Sequence, residues 1–269
     1  MTWFTGWPSW VVMWVLAFTI YAGCKWLTWW RARVSGVPPW KHAAYLFAWP
    51  GLDADSFLTK CPAEPPTRAD WLSGLRNATF GVMLLFGLAR VVSPSNPYVA
   101  GWIGMVGIVL LLHFGLFHLL SCWWRRAGLE ARPLMHNPIA SVSLGEFWGR
   151  RWNTAFRDLT HRFLFRPMTR RVGVRQGIAA GFLFSGLVHD LVISLPARGG
   201  YGGPTAFFLL QGAGMLFERS ATGRTLGLAH GWRGWLFAML LLVVPAPVLF
   251  HPPFVERIIL PFMHAIGAL

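Results

Sequence analysis

Residues 98–124, YVAGWIGMVGIVLLLHFGLFHLLSCWW, contain no Asp, Glu, Lys or Arg. As a helix, such a run is long enough to cross a bilayer, whose hydrocarbon core of about 30 Å requires roughly 20 apolar residues. Residues 2–24, 199–217 and 234–255 also lack all four charged residue types. The chain therefore contains several segments that each predict a membrane span or nearly one.

The overall composition agrees with a membrane protein. Of the 269 residues, 55% are hydrophobic and 13% are charged, whereas a soluble domain has about 25% charged residues. The net charge of +14 raises the question of a nucleic-acid partner. The basic residues, however, lie in short stretches between apolar runs, which is typical of cytoplasmic loops that face anionic lipid. We therefore predict the lipid bilayer as a partner and no nucleic acid.

The predicted fold class is all-α, a polytopic transmembrane helical bundle of about seven spans that forms a single integral membrane domain over residues 1–269. Residues 125–175 are the most basic part of the chain and are predicted to be cytoplasmic. Residues 42–49 are apolar but too short to cross, which predicts a re-entrant or interfacial segment. The predicted spans are 7–30, 71–92, 98–124, 176–195, 204–217, 234–250 and 258–269.

The positive-inside bias predicts the orientation, because the basic loops alternate with loops that are almost free of basic residues. This alternation places the N-terminus outside, with the first apolar segment retained as a helix rather than cleaved as a signal peptide. A preference for Arg over Lys, with many Gly and Ala, suggests a GC-rich genome and thus a bacterial inner membrane. Cys24, Cys61 and Cys122 form no metal-binding or disulfide pattern, and we interpret them as small buried hydrophobic residues.

Residues 185–190, SGLVHD, place an ionisable pair inside an apolar span. Such a pair is costly in a membrane, so it is expected to face the protein interior or a wet cavity. His189 is suited to general-base work at neutral pH, and Ser185 lies one turn earlier on the same face. A structural histidine, hydrogen-bonded between helices, is the alternative.

Residues 143–153, SLGEFWGRRWN, begin a stretch with aromatic residues at helical spacing. Ser143 and Glu146 have the spacing of a capping box. The pattern predicts an amphipathic helix in the membrane interface, with Trp148 and Trp152 on one side and arginines on the other. Eight arginines lie between positions 150 and 175. They fit either a passive anchor on anionic lipid or a site for the phosphates of a donor such as acyl-CoA.

Other signals are weak or absent. His113 and His118 are five residues apart, so they point to different faces of one span and are interpreted as packing or turn-bonded residues. The sequence has no GxSxG, Walker, HExxH or HxxxxD motif, which removes the usual signatures of hydrolases, ATPases, zinc proteases and soluble acyltransferases.

Together, residues 143–153 and 185–190 resemble the membrane-bound O-acyltransferase superfamily, in particular its wax-synthase-like branch. That branch has a Ser-Leu-x-x-Phe-Trp-Gly-Arg-Arg-Trp-Asn/His stretch followed by Ser-Gly-x-x-His-Glu within an apolar helix. Asp190 stands where the family pattern has Glu. The resemblance covers about a fifth of the chain.

The resemblance implies an enzyme, an O-acyltransferase that moves a fatty acyl group from acyl-CoA to a hydroxyl acceptor, most simply a long-chain alcohol. It makes His189 the general base and Asn153 a polar partner that binds or orients the reacting groups. Acyl-CoA is a co-substrate, and no cofactor or metal is implied. The motifs add a set of supporting or substrate-binding residues: Trp148, Arg150, Arg151, Trp152, Ser185 and Asp190.

Two other functions remain open at this stage. One is a membrane transporter in which His189 and Asp190 form a proton or ion relay, although transporters often contain internal repeats and none is seen here. The other is a non-catalytic membrane scaffold, suggested by the short chain and by Asp190 in place of Glu.

Overall fold

The computed structural model describes residues 6–59 and 63–269, and every regular element within these two ranges is a helix. The predicted all-α class is therefore confirmed. We number the helices α1 Ser9–Trp30, α2 Pro39–Ala48, α3 Ala54–Leu58, α4 Arg68–Val92, α5 Pro97–Arg126, α6 144–151, α7 154–172, α8 Val174–Ala197, α9 Gly203–Glu218, α10 Ala221–Thr225, α11 Gly231–Leu249 and α12 252–265.

Five of the helices in the described part of the chain are long and apolar enough to cross a membrane: α1, α4, α5, α8 and α11. This confirms a multi-spanning helical membrane protein. Helix α9 has 16 residues and is about 24 Å long at 1.5 Å per residue, which is short for a full crossing. The total of seven spans and the single domain over residues 1–269 stay predictions.

The chain forms two compact units. The first contains Met1–Phe18, Asn137–Trp152 and Thr160–Ile266. Its core includes four buried residues from four helices, namely Leu144, Ile178, Met215 and Ala238. Helices α8 and α9 approach closely at Gly186, where a Cβ atom would lie 2.6 Å from the Cα of Thr205. A glycine is therefore required for this packing.

The second unit contains Thr19–His136, Asn153–Leu159 and Gly267–Leu269. Helices α4 and α5 pack against each other through glycines, and a Cβ atom on Gly81 would lie 2.5 Å from the backbone nitrogen of Leu111. Asn96 caps α5, because its Oδ1 accepts a hydrogen bond from the Val99 N–H at 3.1 Å. Small residues thus allow two apolar helices to approach where no hydrophobic effect drives them together.

A buried lysine joins α1 to the segment after α2. Lys25 Nζ donates to the carbonyls of Trp49 at 2.7 Å and Gly51 at 2.5 Å, and it lies 3.4 Å from the centre of the Tyr45 ring. The predicted re-entrant or interfacial segment is helical as α2. Its C-terminal end is anchored to the first span by Lys25, a contact that was not predicted from the sequence.

The cysteines fit their interpretation only in part. Cys122 is buried and Cys24 is half-buried, and both are free thiols. Cys61 lies outside the described residues.

The single amphipathic helix predicted from residue 143 onward is corrected to two helices. Helix α6 ends at Arg151, Trp152 is extended with φ −107° and ψ 125°, and α7 begins at Thr154. The break occurs because Asn153 adopts φ +42°, a left-handed conformation that asparagine tolerates better than most residues. The aromatic residues before and after Asn153 therefore do not share one helix face.

Candidate active site

The geometry of His189 defines which ring nitrogen can act as a base. His189 is half-buried in α8, and its Nδ1 lies 2.7 Å from the carbonyl oxygen of Ser185. A carbonyl can only accept a hydrogen bond, so Nδ1 carries the proton in the neutral ring and the lone pair lies on Nε2. The fold thus selects the tautomer in which Nε2 is the proton acceptor.

Ser185 supports His189 through its backbone. The Ser185 hydroxyl donates instead to the carbonyl of Gly181 at 3.0 Å, a common arrangement for serine within a helix. The expected proximity of Ser185 to His189 is present, but the carbonyl makes the contact and the side chain does not.

Phe208 of α9 brings the two sequence motifs together. Its ring centre lies 4.4 Å from that of His189 and 5.5 Å from that of Trp148. Trp148 also packs edge-on against Phe182 of α8 at 5.8 Å. A continuous series of aromatic rings therefore leads from the tryptophan-rich motif to the histidine, and its central member, Phe208, was not predicted from the sequence.

Asp190 turns away from a partnership with His189 and caps the next helix. Its Oδ1 accepts hydrogen bonds from Ser194 Oγ at 2.8 Å and from the Gly202 N–H at 2.9 Å. Its Oδ2 accepts from both the N–H and the hydroxyl of Thr205. The donors from Gly202 and Thr205 lie at the N-terminus of α9, where a negative charge is stabilising. The carboxylate therefore fixes α9 to α8.

A buried chain of hydrogen bonds extends from Asp190. His251 Nδ1 accepts from the Phe254 N–H at 3.2 Å, so in the neutral ring Nε2 carries the proton and donates to Ser194 Oγ, 3.2 Å away. Ser194 in turn donates to Asp190. These hydrogen bonds connect the end of α8, the helix that carries His189, with the start of α12.

The start of α6 is capped by three side chains. Ser143 Oγ accepts from the Glu146 N–H at 2.9 Å, as a capping box requires. Glu146, however, accepts from Val142 N–H at 2.8 Å and not from Ser143. Glu218 of α9, which is 2% exposed, accepts from the N–H groups of Leu144 and Gly145 at 2.8 and 2.9 Å. The predicted capping box is therefore half formed, and Glu218 accepts the hydrogen bonds of two further N–H groups at the start of α6.

The carboxylate of Glu146 also binds Arg151. The Arg151 guanidinium lies 2.6 Å from Glu146 Oε1 and also donates to the Asn137 carbonyl at 3.2 Å. The Val142 N–H and then the Arg151 charge hold the pKa of Glu146 below its usual value. Arg151 is thus part of the structural frame of α6.

Arg150 and Trp152, the neighbours of Arg151 in the motif, have different surroundings. Arg150 is exposed and available to solvent. Trp152 stacks on Phe147, with ring centres 5.5 Å apart and an interplanar angle of 13°. Of the predicted supporting residues, Arg150 is thus the one on the surface.

Asn153 lies in the second unit, and His189 lies in the first. The Asn153 Oδ1 caps α7, because it accepts from the Phe156 N–H at 3.2 Å. Its own N–H contacts the sulfur of Met135 at 3.1 Å. The structure therefore gives Asn153 a conformational role, and its part in substrate binding stays a prediction.

The described residues contain no cluster of three or more His, Cys, Asp or Glu side chains placed to hold a metal ion. Fold and site together define a multi-spanning helical protein whose membrane-embedded histidine has a fixed tautomer and adjoins an aromatic, arginine-containing motif.

Comparison with known proteins identifies the relationship. Residues 131–210 match the profile of the Membrane bound O-acyl transferase family. A probable long-chain-alcohol O-fatty-acyltransferase 7 of Arabidopsis thaliana is 30% identical over 145 residues, which cover 48% of this chain and 42% of that protein. The long-chain-alcohol O-fatty-acyltransferase of Simmondsia chinensis is 29% identical over 134 residues, or 41% and 38% of the two chains.

A third relative, matched over a shorter stretch, is named for another alcohol. The acyl-CoA–sterol O-acyltransferase 1 of Arabidopsis thaliana is 31% identical over 77 residues, which cover 26% of this chain and 22% of that protein. This chain spans less than half the length of each of these three relatives. The matches confirm the resemblance to the membrane-bound O-acyltransferase superfamily and to its wax-synthase-like branch.

Proposed function

We propose that this protein is a membrane-embedded O-acyltransferase that transfers a fatty acyl group from acyl-CoA to a long-chain alcohol. Two of the relatives reported above are named as long-chain-alcohol O-fatty-acyltransferases, which supports this acceptor. The observation that carries the proposal is the bond from His189 Nδ1 to the Ser185 carbonyl, because it leaves Nε2 free to accept a proton inside an apolar helix.

In the proposed reaction, His189 Nε2 takes the proton of the alcohol hydroxyl as the oxygen attacks the thioester carbonyl carbon. The new C–O bond forms, the C–S bond breaks, and the CoA thiolate leaves. The imidazolium then returns the proton to the thiolate, so that the products are an ester and CoA thiol. One base that accepts and then donates a proton is sufficient, and neither a metal nor a cofactor enters.

The chemistry of the substrates explains why such a site would lie in a membrane. A long-chain alcohol and an acyl chain dissolve in the bilayer, whereas the CoA phosphates do not. Exposed arginines of the basic region, Arg150 among them, provide charge-assisted hydrogen bonds for phosphates. A site closed to water would also limit hydrolysis of the thioester.

The bonding of Asp190 supports an enzyme rather than a relay. Both of its carboxylate oxygens are engaged by Ser194, Gly202 and Thr205. A proton relay through His189 and Asp190 would have to break this cap of α9. We therefore assign Asp190 a structural role, in which its carboxylate fixes α9 to α8.

The proposal includes the cellular setting. We place the protein in a bacterial inner membrane, with its N-terminus outside and residues 125–175 in the cytoplasm. Acyl-CoA would then meet the basic region in the cytoplasm, where such donors are made.

The test is ester formation by purified protein in detergent micelles, given radiolabelled palmitoyl-CoA with hexadecanol or a sterol. We expect wax ester from wild type and none from His189→Ala, whereas His264→Ala, a change at an exposed histidine, should retain activity. Sterol ester in place of wax ester would revise the acceptor. Absence of any ester with wild type, together with proton-coupled flux in liposomes, would favour the transporter; absence of both, with no binding of acyl-CoA, would favour the scaffold.

A further inference from the structure

Gln211 is a fully buried polar side chain, 0% exposed, in the otherwise apolar middle of α9. It lies one turn after Phe208, the residue that contacts both His189 and Trp148. A buried amide is costly unless its donor and acceptor are both used, so its partners indicate why it is present.

The first partner of Gln211 is a backbone carbonyl that has lost its usual donor. Gln211 Nε2 donates to the carbonyl of Leu241 in α11 at 2.7 Å. In a continuous helix this carbonyl would accept from residue 245, but Pro245 has no N–H. In an apolar environment, an unpaired carbonyl is expensive. The side chain of Gln211 therefore replaces the missing backbone donor.

The second partner is Trp148, within the motif of residues 143–153. Because Nε2 is committed to Leu241, Oε1 points the other way and accepts from Trp148 Nε1 at 3.4 Å. The indole nitrogen can only donate, and the Leu241 carbonyl can only accept. The two partners together determine the orientation of the amide and prevent it from flipping.

We propose that Gln211 is a positioning residue that holds the Trp148 indole against Phe208 and so sets the aromatic wall next to His189. The catalytic consequence rests on the proposed function. If Trp148 rotates away, Phe208 loses one of its ring contacts, and the acceptor hydroxyl loses its alignment with His189. Small displacements in an active site lower the rate steeply.

The chain offers a way to separate positioning from simple stability. Gln211→Leu removes both hydrogen bonds, whereas Pro245→Ala supplies an N–H to the Leu241 carbonyl. The double variant therefore repairs the backbone without restoring the contact to Trp148. Gln176→Leu, at an exposed glutamine near the start of α8, is the matched control.

The first measurement combines apparent melting temperature with turnover of palmitoyl-CoA and hexadecanol, recording both ester and free fatty acid. For Gln211→Leu we expect kcat for ester to fall about tenfold, a larger share of free acid, and a lower melting temperature. Pro245→Ala in that background should restore the melting temperature but neither kcat nor the product ratio. Recovery of all three would show that Gln211 is structural only and would overturn the proposal.

The second measurement requires no activity. A thermal-stability cycle of Gln211→Leu and Trp148→Phe, which removes the indole N–H, should show the two losses to be non-additive. Additive losses would mean that the contact does not hold Trp148. If wild type forms no ester, the proposed function has failed, and this cycle still decides whether Gln211 fixes Trp148.

Discussion

At the scale of single residues, the contact between His189 and the Ser185 carbonyl fixes the tautomer of this half-buried histidine, as the proposed role as a base requires. A carbonyl at 2.7 Å both orients the ring and holds the proton on Nδ1. The sequence was sufficient to single out His189 as a candidate site residue, because an ionisable residue in an apolar run is rare. It could not identify the atom of Ser185 that makes the contact, since a helix brings both the carbonyl and the hydroxyl of residue i−4 near residue i.

This geometry predicts that the Ser185 hydroxyl is dispensable. Ser185→Ala retains the carbonyl and removes only the bond to Gly181. We expect ester formation within about threefold of wild type, because the bond removed is local to the helix backbone. Loss of activity without loss of folded protein, measured by ester rate and gel filtration, would show that the hydroxyl itself participates.

A second residue-scale prediction separates the two roles of Asn153. Aspartate caps a helix as well as asparagine does and tolerates a positive φ, so Asn153→Asp should leave the apparent melting temperature nearly unchanged. If the Asn153 side chain binds or orients the reacting groups, as the resemblance implies, ester formation should fall about 100-fold. An active Asn153→Asp variant would reduce Asn153 to a helix cap.

At the scale of elements, α6 illustrates what periodicity predicts and what it misses. Its start was predictable from Ser143 and Glu146. Its end was not, because the spacing of the aromatic residues continues past Asn153 while the backbone turns into the left-handed region. Glu218 caps α6 from a helix more than 70 residues away in sequence, and no local pattern reveals such a partner.

The cap of α6 predicts a pH-dependent stability. The pKa of Glu146 is lower in the folded protein than its usual value, so its contribution is present above the unfolded pKa of about 4.3 and is lost as the pH falls through the folded value. At pH 7, Glu146→Gln should cost about 1 kcal/mol, since the group is partly exposed. The difference in melting temperature between wild type and Glu146→Gln should shrink below about pH 4.

The control for this prediction is Glu256→Gln, at an exposed glutamate of α12. It should show no deficit at pH 7. A Glu146→Gln deficit that persists unchanged in acid would contradict the electrostatic origin of the cap's stability.

Helix α9 contributes more to the candidate site than its sequence predicts. It was predicted only as a span, although a lone buried glutamine within an apolar run is itself a signal of function or of a special contact. Its contacts with Asp190, His189, Trp148 and the start of α6 could not be foreseen, because they depend on how three helices are packed.

At the scale of the whole molecule, charge and apolar length were sufficient to predict a multi-spanning helical protein. The number of spans was harder, because α9 and α12 are helices too short to be assigned to a crossing by length alone. Neither composition nor periodicity reports how a short helix lies in a bilayer.

The proposed orientation predicts which sites are accessible from each side. In a variant without native cysteines, Ser95→Cys in the loop before α5 should react with a membrane-impermeant maleimide in intact, right-side-out spheroplasts. Thr222→Cys in α10 should react only after permeabilisation. The opposite labelling pattern would reverse the topology and place the basic region outside.

The central claim is that His189 acts as the base, and His189→Gln tests it most directly. Glutamine keeps a donor for the Ser185 carbonyl and much of the volume, but it has no basic nitrogen. The measurement is the rate of wax ester formation per amount of folded protein, at saturating concentrations of palmitoyl-CoA and hexadecanol. We predict a loss of about 10³-fold or more; a rate within about tenfold of wild type would contradict the claim.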